Sequence, residues 1–276
     1  MRTPIRVAIA RAAATILGAG LLTLVSWTGV SAQDDTFSQY REMMGDDNPA
    51  IFVSEEGGDF WLQARGPKQA SLEQCDLGLG PGVVQGAYAQ LPRYFDDAGR
   101  VMDLEARLVF CMAQLQGRTE PEDLGKPYSG PGDMGTELEA LATYIAEQSQ
   151  GTPLALPQAH AREAAAYSLG EDIFFRRQGP YDFSCASCHR QDGLRIRLQE
   201  LPNITTSEGA GFAYSSWPAY RVSQGLVRTL GWRMQNCARQ QRLPQLQPGS
   251  EASVALQVFI GVNAAGSEMA APGMKR

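Results

Sequence analysis

The sequence predicts a mainly α-helical protein built from two tandem copies of one small domain. Apolar residues recur at helical spacing in both halves of the 276-residue chain, a pattern typical of amphipathic helices. A row of residues in the first half also recurs in the second half, 126 residues later, and such repeats indicate duplicated structural units. The composition, with 43% hydrophobic and 20% charged residues, is that of an ordinary globular protein.

Residues 1–32 have the pattern of an export signal. Basic residues up to Arg11 precede an apolar run, and Val30-Ser31-Ala32 supplies the small residues of a cleavage site before Gln33. The apolar run falls just short of the length that spans a bilayer, so we expect cleavage, no retained membrane anchor and a periplasmic mature protein. The formal net charge of −6 becomes −9 without the three leader arginines, which argues against a nucleic-acid partner.

Residues 33–150 are predicted to form the first domain. Its opening stretch is polar and acidic, with Gly57-Gly58 as a turn signal. An amphipathic helix is expected from Val101 to about Gln114. A stretch rich in proline and glycine, 121–135, separates it from a second helix at about 136–148.

Residues 151–276 are predicted to form the second domain, after a short linker at 151–157. A helix at about 159–175 leads to the motif Cys185-Ala186-Ser187-Cys188-His189. The stretch 201–216 has the composition of a loop, and two further helices are expected at about 226–240 and 251–262.

The C-x-x-C-H motif is the attachment signature of a c-type haem. The thiols of Cys185 and Cys188 would bond to the haem, and His189 would be the proximal ligand of the iron. A zinc site is the weaker alternative because the chain has only one other histidine, His160. A redox dithiol would need a strand-then-helix context that this stretch lacks. The sequence therefore predicts one covalently bound haem c.

The repeat is clearest around a helix that carries a cysteine in each half. Eight positions match there without a gap, and a later helix matches at a different offset because the second copy has a shorter insert. In order, Pro92, Tyr94, Gly99, Val101, Leu104, Arg107, Cys111 and Gln114 match Pro218, Tyr220, Gly225, Val227, Leu230, Arg233, Cys237 and Gln240; Leu141, Tyr144 and Ile145 match Leu256, Phe259 and Ile260.

The first half carries an eroded haem motif. Cys75 stands where the motif would begin, but Gly78 replaces the second cysteine and Leu79 replaces the histidine. Cys111, the counterpart of Cys237, remains in the same half. We therefore expect a first domain without haem and, in an oxidising compartment, a disulfide between Cys75 and Cys111. Cys237 is then the thiol left over.

Cys237 is a candidate for the sixth ligand of the haem iron. It follows His189 by 48 residues on a helix of the same small domain, and a thiolate ligand would give the haem a low reduction potential. Methionine is the more common ligand in electron-transfer cytochromes, so the residues alone leave the choice open. His160 is expected at the surface or as a helix cap. The competing ligands are Met234, Met269, Met274 and His160.

Several segments act together as a family signature. They are Ser71-Leu72-Glu73-x-Cys75-Asp76-Leu77-Gly78, Leu91-Pro92-Arg93-Tyr94-Phe95, the C-x-x-C-H motif, Arg233-x-x-x-Cys237 and the closing Ala271-Pro272-Gly273-Met274-Lys275-Arg276. Over essentially the whole mature chain they resemble the SoxA family, the catalytic cytochrome subunits of the SoxAX complexes of sulfur-oxidising bacteria. Many members carry two haems, and this sequence departs from them in its first domain, as the monohaem members do.

The resemblance implies an L-cysteine S-thiosulfotransferase with two cytochrome c-like domains. Its reaction would join thiosulfate oxidatively to a cysteine of the carrier protein SoxYZ. The family's catalytic thiol, carried as a persulfide and ligating the haem iron, matches Cys237, and its substrate-binding arginine matches Arg233. The reaction releases two electrons, so a second cytochrome, SoxX, is expected as the partner in a heterodimer, with a downstream c-type cytochrome as the final acceptor.

The alternative function is a plain periplasmic electron-transfer cytochrome, in which Cys237 is only a ligand or is replaced by methionine. A cysteine is poorly suited to that task because it is easily oxidised. Arg239 and Arg242 either add to the positive field around Cys237 or are simply solvated.

Overall fold

Helices supply most of the regular structure, and the strands form only small sheets. The structure is a computed structural model and describes residues 48–119, 127–130, 135–196 and 199–276. The predicted export signal, residues 1–32, lies outside the described residues. No helix in the described part of the chain is long and apolar enough to cross a membrane.

The helices alternate with short strands along the chain. They are α1 (Ala50–Leu62), α2 (Leu104–Cys111), α3 (Glu137–Glu147), α4 (Ala161–Phe175), α5 (Ala186–His189), α6 (Ser207–Tyr214), α7 (Leu230–Gln240) and α8 (Glu251–Asn263), with a 3-10 turn at Tyr88–Gln90 and a π-helical end to α2 at Met112–Gln116. The strands are β1 (Arg93–Phe95), β2 (Arg100–Met102), β3 (Arg195–Ile196), β4 (Gln199–Glu200), β5 (Ala219–Arg221), β6 (Leu226–Arg228) and β7 (Gly273–Lys275).

Two predicted helices begin later than expected, and for the same reason in each half. The residues predicted to open them belong to β2 and β6, which pair antiparallel with β1 and β5. Asp103 and Thr229, at matching positions of the repeat, then cap α2 and α7 by accepting a bond from a backbone N–H in the first turn. The helices can begin only after these capping residues.

Two stretches predicted as turn and loop are helices. Gly57, predicted as a turn signal, is buried inside α1, where an added Cβ would overlap the carbonyl group of Ala140 in α3. The stretch 201–216 contains α6, in which an added Cβ at Gly211 would overlap the side chain of Ser267. In both helices glycine permits close packing, so its presence does not mark a turn.

The helix contacts of the first half recur in the second. α1 packs on α3, with Gly57 against the carbonyl of Ala140, and α4 packs on α8, with Gly170 against the carbonyl of Ala255. The β1–β2 and β5–β6 hairpins have the same register, with Tyr94 opposite Val101 and Tyr220 opposite Val227. β7 adds a parallel third strand beside β5.

Buried polar contacts join the two halves, and all the described residues lie in one compact unit. The Tyr214 hydroxyl donates to the carbonyl of Leu91 at 2.6 Å. The Gln257 amide donates to Asp103 at 2.6 Å, and Arg228 is paired with Glu139 at 2.9 Å. The division at residue 150 into two tandem domains remains a prediction.

A disulfide links Cys75 and Cys111, as predicted, with the Cα atoms 5.6 Å apart. Both cysteines are buried. Beside them, Arg93 fills the space next to Gly78 and donates to its carbonyl at 2.7 Å. Arg107 is buried nearby and donates to the carbonyl of Asp76 at 2.7 Å. Side chains and a disulfide thus occupy the surroundings of the eroded motif.

Candidate functional site

The C-x-x-C-H motif forms a short helix whose histidine is held in one orientation. α5 spans Ala186–His189 and directly follows Cys185. The Nδ1 of His189 donates to the carbonyl of Pro202 at 2.9 Å, and this bond leaves Nε2 as the nitrogen with a lone pair. A hydrogen bond from the far ring nitrogen to a backbone carbonyl is how proteins fix the tautomer and direction of a metal-ligating imidazole.

Cys237 lies next to the motif in space, although it is 48 residues away in sequence. Burial, followed by the effect of the nearby Cys237, raises the pKa of the Cys185 thiol to about 12. The pKa of Cys237 is likewise raised by burial and, less strongly, by Cys188. These mutual effects require the three thiols to lie close together, and all three are free and partly buried.

Arg233 stands one helical turn before Cys237 on α7 and faces the same cluster. Its charge opposes the effect of burial and lowers the pKa of the Cys237 thiol. It also lowers the pKa of His189, although burial is the main cause of that lowering. The structure therefore brings together Cys185, Cys188, His189, Arg233 and Cys237, the residues that the sequence singled out in the second half.

These residues fit a covalently bound haem c. The two motif thiols are unoxidised and partly accessible, as thioether attachment needs. The His189 ring is fixed with Nε2 available, and a second sulfur donor, Cys237, lies in the same cluster. A haem in this position would be held by Cys185 and Cys188, with His189 and Cys237 as the candidates for iron ligands.

Two of the competing ligands, His160 and Met269, are held in other contacts. His160 caps α4, as predicted, accepting from the backbone of Arg162 at 3.2 Å, and its ring stacks on Tyr94 with centroids 3.8 Å apart. Met269 is 2% exposed and belongs to the hydrophobic core. Met274 lies on β7, opposite Tyr220 of β5, and Met234 packs against the core from α7.

Arg239 and Arg242 are exposed and have local partners. Arg239 donates to the side chain of Asn236 at 2.9 Å. The Arg242 guanidinium lies 5.4 Å from the centroid of the Tyr181 ring. Their contribution to the positive field around Cys237 stays a prediction.

Sequence reasoning missed two arginines near this site. Arg228 is buried, pairs with Glu139 and lies over the Trp232 ring. Arg221, at the end of β5, has a buried Nε without a hydrogen-bond partner among the described residues. Burial lowers the pKa of Arg221, and the charges of Arg233 and Arg228 lower it further. The signal was present in the repeat, because Arg221 stands where the first half has Phe95.

Comparison with known families and proteins gives a consistent result. Residues 56–154 match a family described as "SoxA/TsdA, cytochrome c domain". The matched stretch lies mostly in the first half, which lacks the C-x-x-C-H motif. The chain is similar to an L-cysteine S-thiosulfotransferase subunit SoxA of Hydrogenophilus thermoluteolus, with 43% identity over 95% of this chain and 99% of that protein.

More distant relatives carry the same name. A protein of Hydrogenobacter thermophilus, also an L-cysteine S-thiosulfotransferase subunit SoxA, is 31% identical over 83% of this chain and 82% of its own length. Among solved structures, the crystal structure of SoxXA from P. pantotrophus matches with a TM-score of 0.67 and 23% identity, covering 83% of this chain and 80% of that one. This last similarity concerns the fold.

Proposed function

The chain belongs to the SoxA family of L-cysteine S-thiosulfotransferase subunits, and on this basis we propose that it conjugates thiosulfate to a cysteine of the carrier protein SoxYZ, with Cys237 as the catalytic thiol. The observation that carries this proposal is the cluster of Cys237 and Arg233 with the C-x-x-C-H motif. A motif alone would serve any c-type cytochrome. A free thiol with a neighbouring guanidinium adds the means to perform sulfur chemistry.

The cofactor in this proposal is one haem c. Cys185 and Cys188 would form its thioether bonds, and His189 and Cys237 would ligate its iron. The first half carries none, because it lacks the second cysteine and the histidine, and because the disulfide between Cys75 and Cys111 uses both cysteines of that half.

The reaction forms one S–S bond and releases two electrons. The thiolate of Cys237 and the outer sulfur of thiosulfate combine to give a Cys237–S–S–SO₃⁻ group. The thiolate of the carrier cysteine then attacks the thiosulfate sulfur that is bonded to Cys237. The S–SO₃⁻ group passes to the carrier, and Cys237 is released as a thiolate. For a carrier cysteine that starts as a thiol, one proton passes to solvent.

Arg233 has two tasks in this scheme. Its charge favours the thiolate form of Cys237, which burial disfavours. Its guanidinium can also hold the sulfonate end of thiosulfate, since a planar fork of N–H donors suits an anionic group with several oxygens. Both tasks follow from its place one turn before Cys237.

The partner in this proposal is SoxX, in a heterodimer. A haem c accepts one electron at a time, and the reaction releases two, so a second acceptor is needed close by. A downstream c-type cytochrome then removes the electrons from the complex. The leader pattern of residues 1–32 supports a periplasmic location, where c-type haem is attached and disulfides persist.

The test is substitution of Cys237 in the assembled complex. Cys237→Ala should reduce conjugation of thiosulfate to the carrier by at least about 10³-fold, in line with the loss of a nucleophile, while the Soret band and the covalent haem remain. Asn236→Ala, next to it on α7, is the matched control and should conjugate normally. Conjugation by Cys237→Ala at the wild-type rate would refute Cys237 as the catalytic thiol. A wild-type complex whose haem is reduced by thiosulfate but which conjugates nothing to the carrier would favour a plain electron-transfer role.

A further inference from the structure

The two halves place an arginine at matching positions, Arg107 and Arg233, but surround it differently. Each arginine lies on the helix that follows a hairpin of the same length and register. The hairpin contributes two residues whose counterparts differ. Phe95 at the end of β1 matches Arg221 at the end of β5, and Asp97 in the first turn matches Ser223 in the second.

In the first half, the chain itself satisfies the arginine. Arg107 is 3% exposed, and its Nη1 pairs with Asp97 at 2.8 Å. Its Nε donates to the carbonyl of Asp76 at 2.7 Å. The face of its guanidinium lies 4.1 Å from the centroid of the Phe95 ring. One carboxylate, one carbonyl and one aromatic face thus compensate one buried charge.

In the second half, those partners are gone and a second positive charge has been added. Ser223 carries no charge where Asp97 would pair, and Arg221 replaces the aromatic ring. Arg221 and Arg233 lie close enough for their charges to interact unfavourably. Neither side chain has a hydrogen bond or ion pair with a residue that the structure describes, and the Nε of Arg221 is buried.

Arg228 does not change this charge balance. It is the third arginine of the group, but its charge is already paired with Glu139 at 2.9 Å, and it also donates to the carbonyl of Ser129 at 2.8 Å. Two guanidinium groups therefore remain without a compensating anion in the described part of the chain. Buried N–H donors without partners are uncommon and costly in folded proteins, which points to an anion that is not part of this chain.

We propose that Arg221 and Arg233 together form an oxyanion site beside Cys237, which binds the sulfonate group of thiosulfate. Arginine pairs bind oxyanions through several charge-assisted hydrogen bonds. The inference rests on the proposed function for the identity of the substrate. A carboxylate of the haem has the same chemistry as a ligand for this pair, and the experiment separates the two sources.

The first test removes the charge of Arg221 in the holo complex. Arg221→Gln should raise the KM for thiosulfate at least about tenfold, as expected for the loss of one charge-assisted hydrogen bond, and leave the KM for the carrier unchanged. Arg221→Lys should restore part of the affinity. The control is Arg176→Gln, which changes an exposed arginine directly after α4 that is paired with Asp172. This variant should behave as wild type.

The second test uses the first half as a template. Ser223 is exposed, so Ser223→Asp should fold normally and supply the carboxylate that the first half has at Asp97. This carboxylate should compete with the anion and raise the KM for thiosulfate, whereas Ser223→Asn, of nearly equal size but uncharged, should not.

The reduction potential of the haem identifies the source of the anion. If Arg221 holds a haem carboxylate, Arg221→Gln should lower the potential measured without thiosulfate, because loss of a positive charge favours the oxidised haem, and the KM should stay constant. If Arg221 holds the sulfonate, the KM should change instead. An unchanged KM for thiosulfate in both Arg221→Gln and Ser223→Asp would overturn the oxyanion site, whether or not the potential changes.

The two proposals fail separately. A wild-type complex that conjugates thiosulfate while the Arg221 and Ser223 variants behave normally refutes only the oxyanion site. A wild-type complex that does not conjugate refutes the proposed function. Calorimetric titration of thiosulfate into the same holo variants still tests the oxyanion site, because wild type should bind thiosulfate more tightly than Arg221→Gln and Ser223→Asp.

Discussion

Burial and charge act in opposite directions on Cys237. Burial raises the pKa of its thiol, and Arg233 lowers it. The buried position excludes water from the sulfur, but it also disfavours the thiolate that the chemistry needs. A neighbouring arginine is the simplest compensation, and it is held in place by the same helix that carries the cysteine.

The residues of this site differ in how far they could be predicted from sequence. Cys185, Cys188 and His189 form a local motif. Cys237 was singled out by comparison of the two halves, and Arg233 by the resemblance to the SoxA family. Arg221 was missed because its meaning depends on what surrounds Arg107 and Arg233 in space. A sequence repeat shows that Phe95 and Arg221 correspond, but only the structure shows that Phe95 covers an arginine.

Glu105 gives a prediction about stability and pH. It is buried on α2, and burial followed by the charge of Asp103 raises its pKa from 4.5 to about 7. An acid whose pKa is higher in the folded state binds its proton more tightly there. Its contribution to the free energy of unfolding is therefore full below about pH 4.5 and is lost as the pH rises to about 7.

We expect Glu105→Gln to stabilise the holoprotein more, relative to wild type, at pH 8 than at pH 4.5. The difference in the free energy of unfolding between Glu105→Gln and wild type should grow by up to about 1.4 kcal/mol for each pH unit between about 4.5 and 7. Denaturant titration at several pH values measures it. Glu55→Gln, an exposed glutamate of α1, is the control, and an equal pH dependence in both variants would contradict the account of Glu105.

At the scale of elements, close helix crossings determine the fold more than turn signals do. α1 and α4 each place a glycine against a carbonyl of the partner helix, α3 or α8. Sequence rules treat glycine as a turn signal, so the Gly57 region was assigned wrongly, and α6 was missed for a similar reason. The hairpins were missed because three-residue strands are too short to show an alternating pattern.

Gly57 and Gly58 offer a matched pair for testing this view. Gly57→Ala should lower the free energy of unfolding by about 1–3 kcal/mol, the range for overpacking, because its Cβ would overlap the Ala140 carbonyl. Gly58→Ala, the next residue of α1, meets only the ring of Tyr144, at 3.4 Å, and should be neutral or stabilising by up to about 1 kcal/mol. Equal changes in the free energy of unfolding of the two variants, measured by thermal or denaturant unfolding, would contradict the close contact between α1 and α3.

At the scale of the whole molecule, the two halves share helix contacts and a hairpin register but differ around the motif. In the first half, a disulfide, Arg93 and the enclosed Arg107 occupy the surroundings of the eroded motif. In the second half, the matching region keeps a complete motif, a free cysteine and two arginines without a hydrogen-bond partner among the described residues. The first half therefore serves as an internal reference for what the second half must obtain from a bound group.

The sequence predicted the helical class, the repeat, the disulfide and the members of the thiol cluster, because each depends on local spacing or on comparison of the two halves. It did not predict the contacts between the halves, such as Tyr214 with Leu91 or Arg228 with Glu139. Those contacts join residues about 90 to 120 positions apart, and no local pattern specifies such pairs.

The most direct test of the central claim is to observe the thiosulfate group on Cys237. The oxidised wild-type complex is mixed with thiosulfate in the absence of carrier, digested and examined by peptide mass spectrometry. We expect the peptide containing Cys237 to gain the mass of one thiosulfate group and to lose it when carrier is added. A carrier conjugated at the full rate while the Cys237 peptide never gains that mass would contradict the account.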